Sequence, residues 1–130
     1  MSPEKRKASR HLPAFLLLAL AHGPGHGAAL LGRMGDLLPV RGVDSGAVYR
    51  TLAGLEADGA IEGRWDTSGK GPAKKIYRLT EAGWKRLDFW REDIAYRVRL
   101  LNTFLQLADA VTATAPHATA QTEAAPCRKK

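Results

Sequence analysis

The stretch that most constrains the fold runs from Val43 to Thr80, VDSGAVYRTLAGLEADGAIEGRWDTSGKGPAKKIYRLT. Asp44 is a good N-cap, because its side-chain oxygen can accept from an amide in the first helical turn, and Gly59 supplies a stop. Between them Val48, Leu52 and Leu55 fall at i, i+4 and i+7, one apolar stripe of a helix. The opposite face then shows Ser45, Gly46, Tyr49, Arg50 and Ala53. Ala60–Trp65 and Lys75–Leu79 alternate as two short strands. Their link, Asp66 to Lys74, is rich in glycine and proline and carries Lys70 at its tip and Lys74 at its exit. Thr80 is placed to cap a further helix.

Small residues at a helix start permit close approach of its N-terminal amides to an acceptor. Arg50 can fork onto guanine or clamp a phosphate. A turn requires its glycines, but it does not require lysines; cations on a protruding hairpin suit backbone contacts beside a groove. This order predicts an α+β, mostly helical chain: a winged helix-turn-helix domain followed by a long C-terminal dimerisation helix. Ser45, Gly46, Tyr49 and Arg50 are expected to enter the major groove of double-stranded DNA, with Lys70, Lys74 and Lys75 on flanking phosphates.

Charge agrees with that division. The net charge is +7 over 130 residues. Before Thr80, 12 cations face 7 anions; residues 80–111 carry 5 of each; the remainder carries 3 cations and 1 anion. The excess lies on the DNA-reading half and the two ends.

Around this stretch the chain reads as scaffold and appendages. Residues 1–11 are polar and basic without apolar periodicity, which suggests a disordered basic arm. Leu12 to Ala21 is an apolar helix with Pro13 in its first turn, ended by Gly23, Pro24 and Gly25. A second helix spans His26 to Leu38, with Leu30, Leu31 and Met34 on one face. The domain therefore covers 12–80. Residues 81–109 form a helix about 40 Å long, more than one small domain can cover. Its stripe of Leu87, Trp90, Ile94, Val98, Leu101, Phe104 and Leu105 is expected to pair with a second copy, giving a homodimer. Trp84, Trp90, Tyr96 and Phe104 are candidates for a pocket accepting a small aromatic or acyl effector. Residues 110–130 read as a disordered tail, since large apolar side chains are lacking from Thr112 onward.

Other chemistries find little support. Cys127 is the sole cysteine, so no intramolecular disulfide forms. His11, His22, His26 and His117 have no metal-ligand spacing with one another or with Cys127, so no metal or cofactor is expected. Gly42-Val43-Asp44-Ser45-Gly46 misses the nucleophile-elbow spacing by one place, and no phosphate-binding loop is present. The chain is read as non-enzymatic. The apolar run near Leu16 is too short to span a bilayer, so a cytoplasmic protein without a membrane partner is expected. A winged helix used for protein contacts, without specific DNA binding, is the alternative; salt dependence separates the two.

The residues resemble the PadR family of bacterial transcriptional regulators over about 12–108. The resemblance rests on Gly23-Pro24-Gly25-His26-Gly27, Asp44 to Leu52, Leu55-Glu56-Ala57-Asp58-Gly59-Ala60-Ile61, and Gly71 to Gly83. It implies a homodimeric winged-helix repressor on a pseudo-palindromic operator, with an effector site near the dimer interface. Trp65-Asp66-Thr67-Ser68, with Trp84 and Trp90, is also similar to members labelled polyhydroxybutyrate-responsive repressors. Two departures stand out. Ala28 occupies a place where the family commonly has Tyr, and Ala53 and Gly54 stand where basic residues are frequent.

Overall fold

The computed structural model describes residues 3–114. Four helices and a two-stranded sheet follow in the order α1 (Pro3–Ala21), α2 (Gly27–Leu37), α3 (Ser45–Ala57), β1 (Ile61–Asp66), β2 (Lys74–Leu79) and α4 (Glu81–Thr114). This is the winged helix-turn-helix arrangement expected, mostly helical with a small antiparallel sheet.

Local sequence accounts for the boundaries. His26 caps α2, its side chain accepting from the Ala29 amide at 3.3 Å. Asp44 caps α3 by accepting from the Ala47 amide at 2.6 Å. Gly59, at φ +84, turns the chain out of α3 in a left-handed conformation that other residues adopt at a cost. Thr80 starts α4: its hydroxyl accepts from the Gly83 amide at 3.1 Å and lies 2.6 Å from the Gly59 carbonyl, to which it can donate.

Leu12, Leu16, Leu17 and Leu20 of α1, Leu30 and Met34 of α2, and Val48, Leu52 and Leu55 of α3 form one core with Ile61 and Tyr77. The three-residue stripe expected on α3 is buried. The hairpin pairs Ile61 with Leu79 through Asp66 with Lys74. A third short edge joins it that the sequence reading omitted. The Gly25 amide donates to the Tyr77 carbonyl at 3.1 Å, and the Tyr77 amide donates back at 2.9 Å, so the α1–α2 turn is stitched to the wing.

Both ends differ from expectation. The helix expected from Leu12 begins at Pro3, so residues 3–11 of the basic arm belong to α1. Pro13 consequently lies inside the helix instead of in its first turn. At the other end α4 continues to Thr114, beyond 109. The rest of the expected tail, 115–130, lies outside the described residues, as do the first two residues of the arm.

Two compact units are distinguished, one through Arg91 and one from Glu92. Within the first, Leu87 and Trp90 pack against the core. These two residues of the expected dimer stripe therefore face their own domain, because the i, i+3 spacing that continues the stripe also turns it onto α1 and α3. Among the described residues no helix is long and apolar enough to cross a membrane.

Candidate nucleic-acid interface

The exposed face of α3 begins at its cap. Ser45, Gly46, Tyr49 and Arg50 are all exposed, on one side of the helix, while Val48 between them is buried. The Arg50 guanidinium folds back over the helix start: a Cβ built on Gly46 would lie 3.2 Å from its Nη1. Arginine and the free N-terminal amides of α3 thus share one small area, favourable to a phosphate or a base-edge acceptor.

Tyr49 packs against α2. Its ring rests on Gly27, the first residue of α2, so closely that a Cβ at Gly27 would overlap the ring. Tyr49 remains 49% exposed. The ring and the wing form the two sides of a groove of about 620 Å³, floored by Gly27 and Ala28 and walled by Trp65, Lys74 and Tyr77. Ala28, with its small side chain, leaves this groove open. His26, Gly27, Ala28 and Trp65 were not anticipated from the sequence. Trp65, 67% exposed on a strand, was the visible signal, because an exposed tryptophan beside basic residues is unusual for a purely structural hairpin.

The three wing lysines are not equivalent. Lys70 at the tip and Lys74 at the start of β2 are exposed, and among the described residues neither forms an ion pair. Lys75 donates to Glu56 Oε1 of α3 at 2.9 Å and is half-buried. Side chains alternate across a strand, so Lys75 shares the inner face with Tyr77 and Gly63 while Lys74 takes the outer one. The Glu56 hydrogen bond raises the Lys75 pKa above its ordinary value, against a smaller effect of desolvation. Any stability from this link is complete below about pH 10.4 and is lost as pH rises through the raised folded value. Lys75, expected on a flanking phosphate, is thus the one of the three wing lysines whose ammonium is hydrogen-bonded to a carboxylate. At the hairpin's other strand Asp66 accepts from the Ser68 amide at 3.0 Å and from its hydroxyl at 2.6 Å, which holds its carboxyl below the ordinary range.

These observations meet in the comparisons with known proteins. The profile of the transcriptional regulator PadR-like family matches residues 16–88, more than half of the chain. The chain belongs to the PadR-like family. A crystal structure of a PadR family regulator from Clostridium difficile R20291 is similar in fold, with a TM-score of 0.65, 18% identity, and coverage of 73% of this chain and 98% of that one. A conserved protein described as a potential transcriptional factor, TM0937, is 30% identical with a TM-score of 0.66, covering 77% and 89%. Bacillus subtilis PadR, solved in complex with operator DNA, is 27% identical with a TM-score of 0.56, covering 62% of this chain and 46% of that one. No curated protein matches the sequence. In this PadR-like chain, then, the face built from α3 and the wing belongs to a transcriptional regulator.

The residues considered for an effector pocket scatter. Trp90 lines a pocket of about 350 Å³ with Phe89, Pro13, Gly54 and Arg86, whose guanidinium is 3.5 Å from Asp58. Trp84 is half-exposed and lines neither this pocket nor the wing groove; Tyr96 and Phe104 are exposed on the second unit. Ile94 is half-buried, whereas Val98, Leu101, Phe104 and Leu105 are exposed. Tyr96, Leu100, Leu107 and Val111 add to that apolar surface and were not in the expected stripe.

Proposed function

We propose that this PadR-like regulator is a repressor that binds a pseudo-palindromic DNA operator as a homodimer. The observation that carries the reading is the groove between Tyr49 and the wing, lined by Lys74 and Lys75, with Arg50 exposed next to Tyr49 on α3 and Lys70 exposed in the loop before β2. One sugar–phosphate strand fits such a groove, with the α2 amino terminus at its floor and α3 directed at base edges. Bacillus subtilis PadR, in complex with operator DNA, supports transfer of this role. Ser45, Gly46, Tyr49 and Arg50 read the major groove, and Lys70 and Lys74 hold phosphates. The exposed apolar residues of α4 pair two copies, so that two such faces meet half-sites about one DNA turn apart, or a multiple of it.

Genome-wide selection of fragments bound by the purified protein tests the proposal, because it yields the operator and its symmetry. With Lys70 and Lys74 on phosphates in each protomer, operator affinity should fall on the order of a hundredfold between 50 and 200 mM salt. Affinity flat across that range would remove the phosphate-contact scheme and favour a protein partner instead. Release by an effector is supported by the aromatic walls of the Trp90 pocket. Titration of planar aromatic and acyl ligands, followed by tryptophan fluorescence and operator release, tests that part; no response to either class eliminates it.

A further inference from the structure

Lys75 differs from the other wing cations in every contact it makes. Its ammonium is 2.9 Å from Glu56 Oε1, and the two side chains are only 29% and 32% exposed. It also lies 5.9 Å from the centre of the Trp65 ring and 5.6 Å from that of Tyr77, within reach of cation–π attraction. Its stem crosses Gly63 on the paired strand, where an added Cβ would stand 2.5 Å from Cε and 3.2 Å from Cγ. Glu56 ends α3, Gly63 and Trp65 lie on β1, and Tyr77 lies on β2. One side chain therefore joins the last turn of α3 to both strands of the wing. Withdrawing it to a phosphate would break the Glu56 bond and leave a carboxylate without its cation beside the duplex.

We infer that Lys75 is a positioning residue: by bridging Glu56 to the wing it sets the separation between the Tyr49–Arg50 face and the wing cations. Its ammonium remains on Glu56 when DNA is bound, and the fit of both surfaces to one duplex depends on that link. The inference rests on the DNA-binding reading above.

The two roles of Lys75 predict opposite responses to Glu56→Ala. If Lys75 were a phosphate ligand, removing Glu56 would free a cation and delete an anion, so binding would tighten. For a positioning residue, Glu56→Ala and Lys75→Met each weaken binding to the selected operator by about tenfold. Binding to a random-sequence duplex of equal length changes much less, and exchanging the pair (Glu56→Lys with Lys75→Glu) restores most of the loss. Circular dichroism melts confirm that each variant is folded at the assay temperature, and the operator-to-random ratio is the readout that a general loss of stability leaves unmoved. The inference is overturned if Glu56→Ala binds the operator as tightly as the parent or more tightly. It is also overturned if Lys75→Met weakens both duplexes equally and lowers the salt slope by about 0.9 per protomer, the mark of a lost phosphate contact. A parent protein that binds neither duplex refutes DNA binding itself, and the positioning role falls with it.

Discussion

Gly27, Gly83 and Arg33 show how differently single residues constrain this fold. At Gly27 the obstacle to a side chain is the ring of Tyr49, which is half-exposed and free to swing. Gly27→Ala should therefore cost little stability while displacing Tyr49 from the groove, and should weaken operator binding in a filter or anisotropy assay. Gly83 meets the backbone carbonyl of Ala60, which cannot swing away. Gly83→Ala should destabilise by about 1–3 kcal/mol, as overpacking does, and lower the melting temperature by several degrees or more. Arg33 donates to the carbonyls of Ala19 at 2.8 Å and Gly23 at 2.6 Å, closing the α1–α2 turn. Arg33→Met removes charged donors from both and should cost about 1.5–3 kcal/mol in urea unfolding. None of these partners is visible in the sequence. Arg33 and its acceptors are 14 and 10 positions apart, and a glycine beside a ring is indistinguishable, in one dimension, from a glycine in a turn.

At the scale of elements, what was legible depended on whether the signal was local. The caps Asp44 and Thr80, the stop at Gly59 and the α3 stripe are short-range features, and each lies where expected within a residue. Asp44→Ala should accordingly cost about 1 kcal/mol of stability, and operator affinity should fall with it, because the same cap orders the residues that face DNA. The wing was legible as a hairpin but not in its detail. The two-residue period was enough to place Lys75 inside and Lys74 outside, yet a run of basic residues was read as one surface. The strand-like edge at Gly25 gave no signal, since two glycines and a proline show no alternation. The Asp66–Ser68 turn belongs to this scale too. Its hydrogen bonds depress the Asp66 pKa, so its contribution is present above the ordinary carboxylate value of about 3.9 and is lost as pH falls through the lower folded value. The Ser68 amide resonance should titrate with a midpoint below about 3.9; a midpoint at or above it would show the turn unformed in solution.

For the whole molecule, the question is what covers α4. From Glu92 onward it exposes Tyr96, Val98, Leu100, Leu101, Phe104, Leu105, Leu107 and Val111, most of them more than half accessible. A monomer seldom leaves so much contiguous apolar surface in water, and a second copy of this helix is the partner whose chemistry matches. The heptad reading found only part of the surface. At 100° per residue, Ile94, Val98, Leu101 and Leu105 form one stripe, while Tyr96, Leu100, Leu107 and Val111 lie on another about 140° away, with Phe104 between them. One facing helix covers one stripe, so the proposed dimer would have to enclose α4 from more than one direction. This separates a two-helix seam from a bundle. Leu101→Arg should dissociate the dimer under either arrangement, giving a sedimentation mass near 14.1 kDa in place of roughly twice that value. Leu107→Arg lies outside the first stripe: it should leave a simple seam intact but weaken the broader enclosure argued here, raising the dimer dissociation constant by tenfold or more, about 1.4 kcal/mol. Both variants retain the α3 and wing residues. If their operator affinity falls while binding to a single half-site is unchanged, the long helix acts by holding two reading faces at a fixed spacing; unaltered operator affinity in a monomeric Leu101→Arg protein would show that one face suffices.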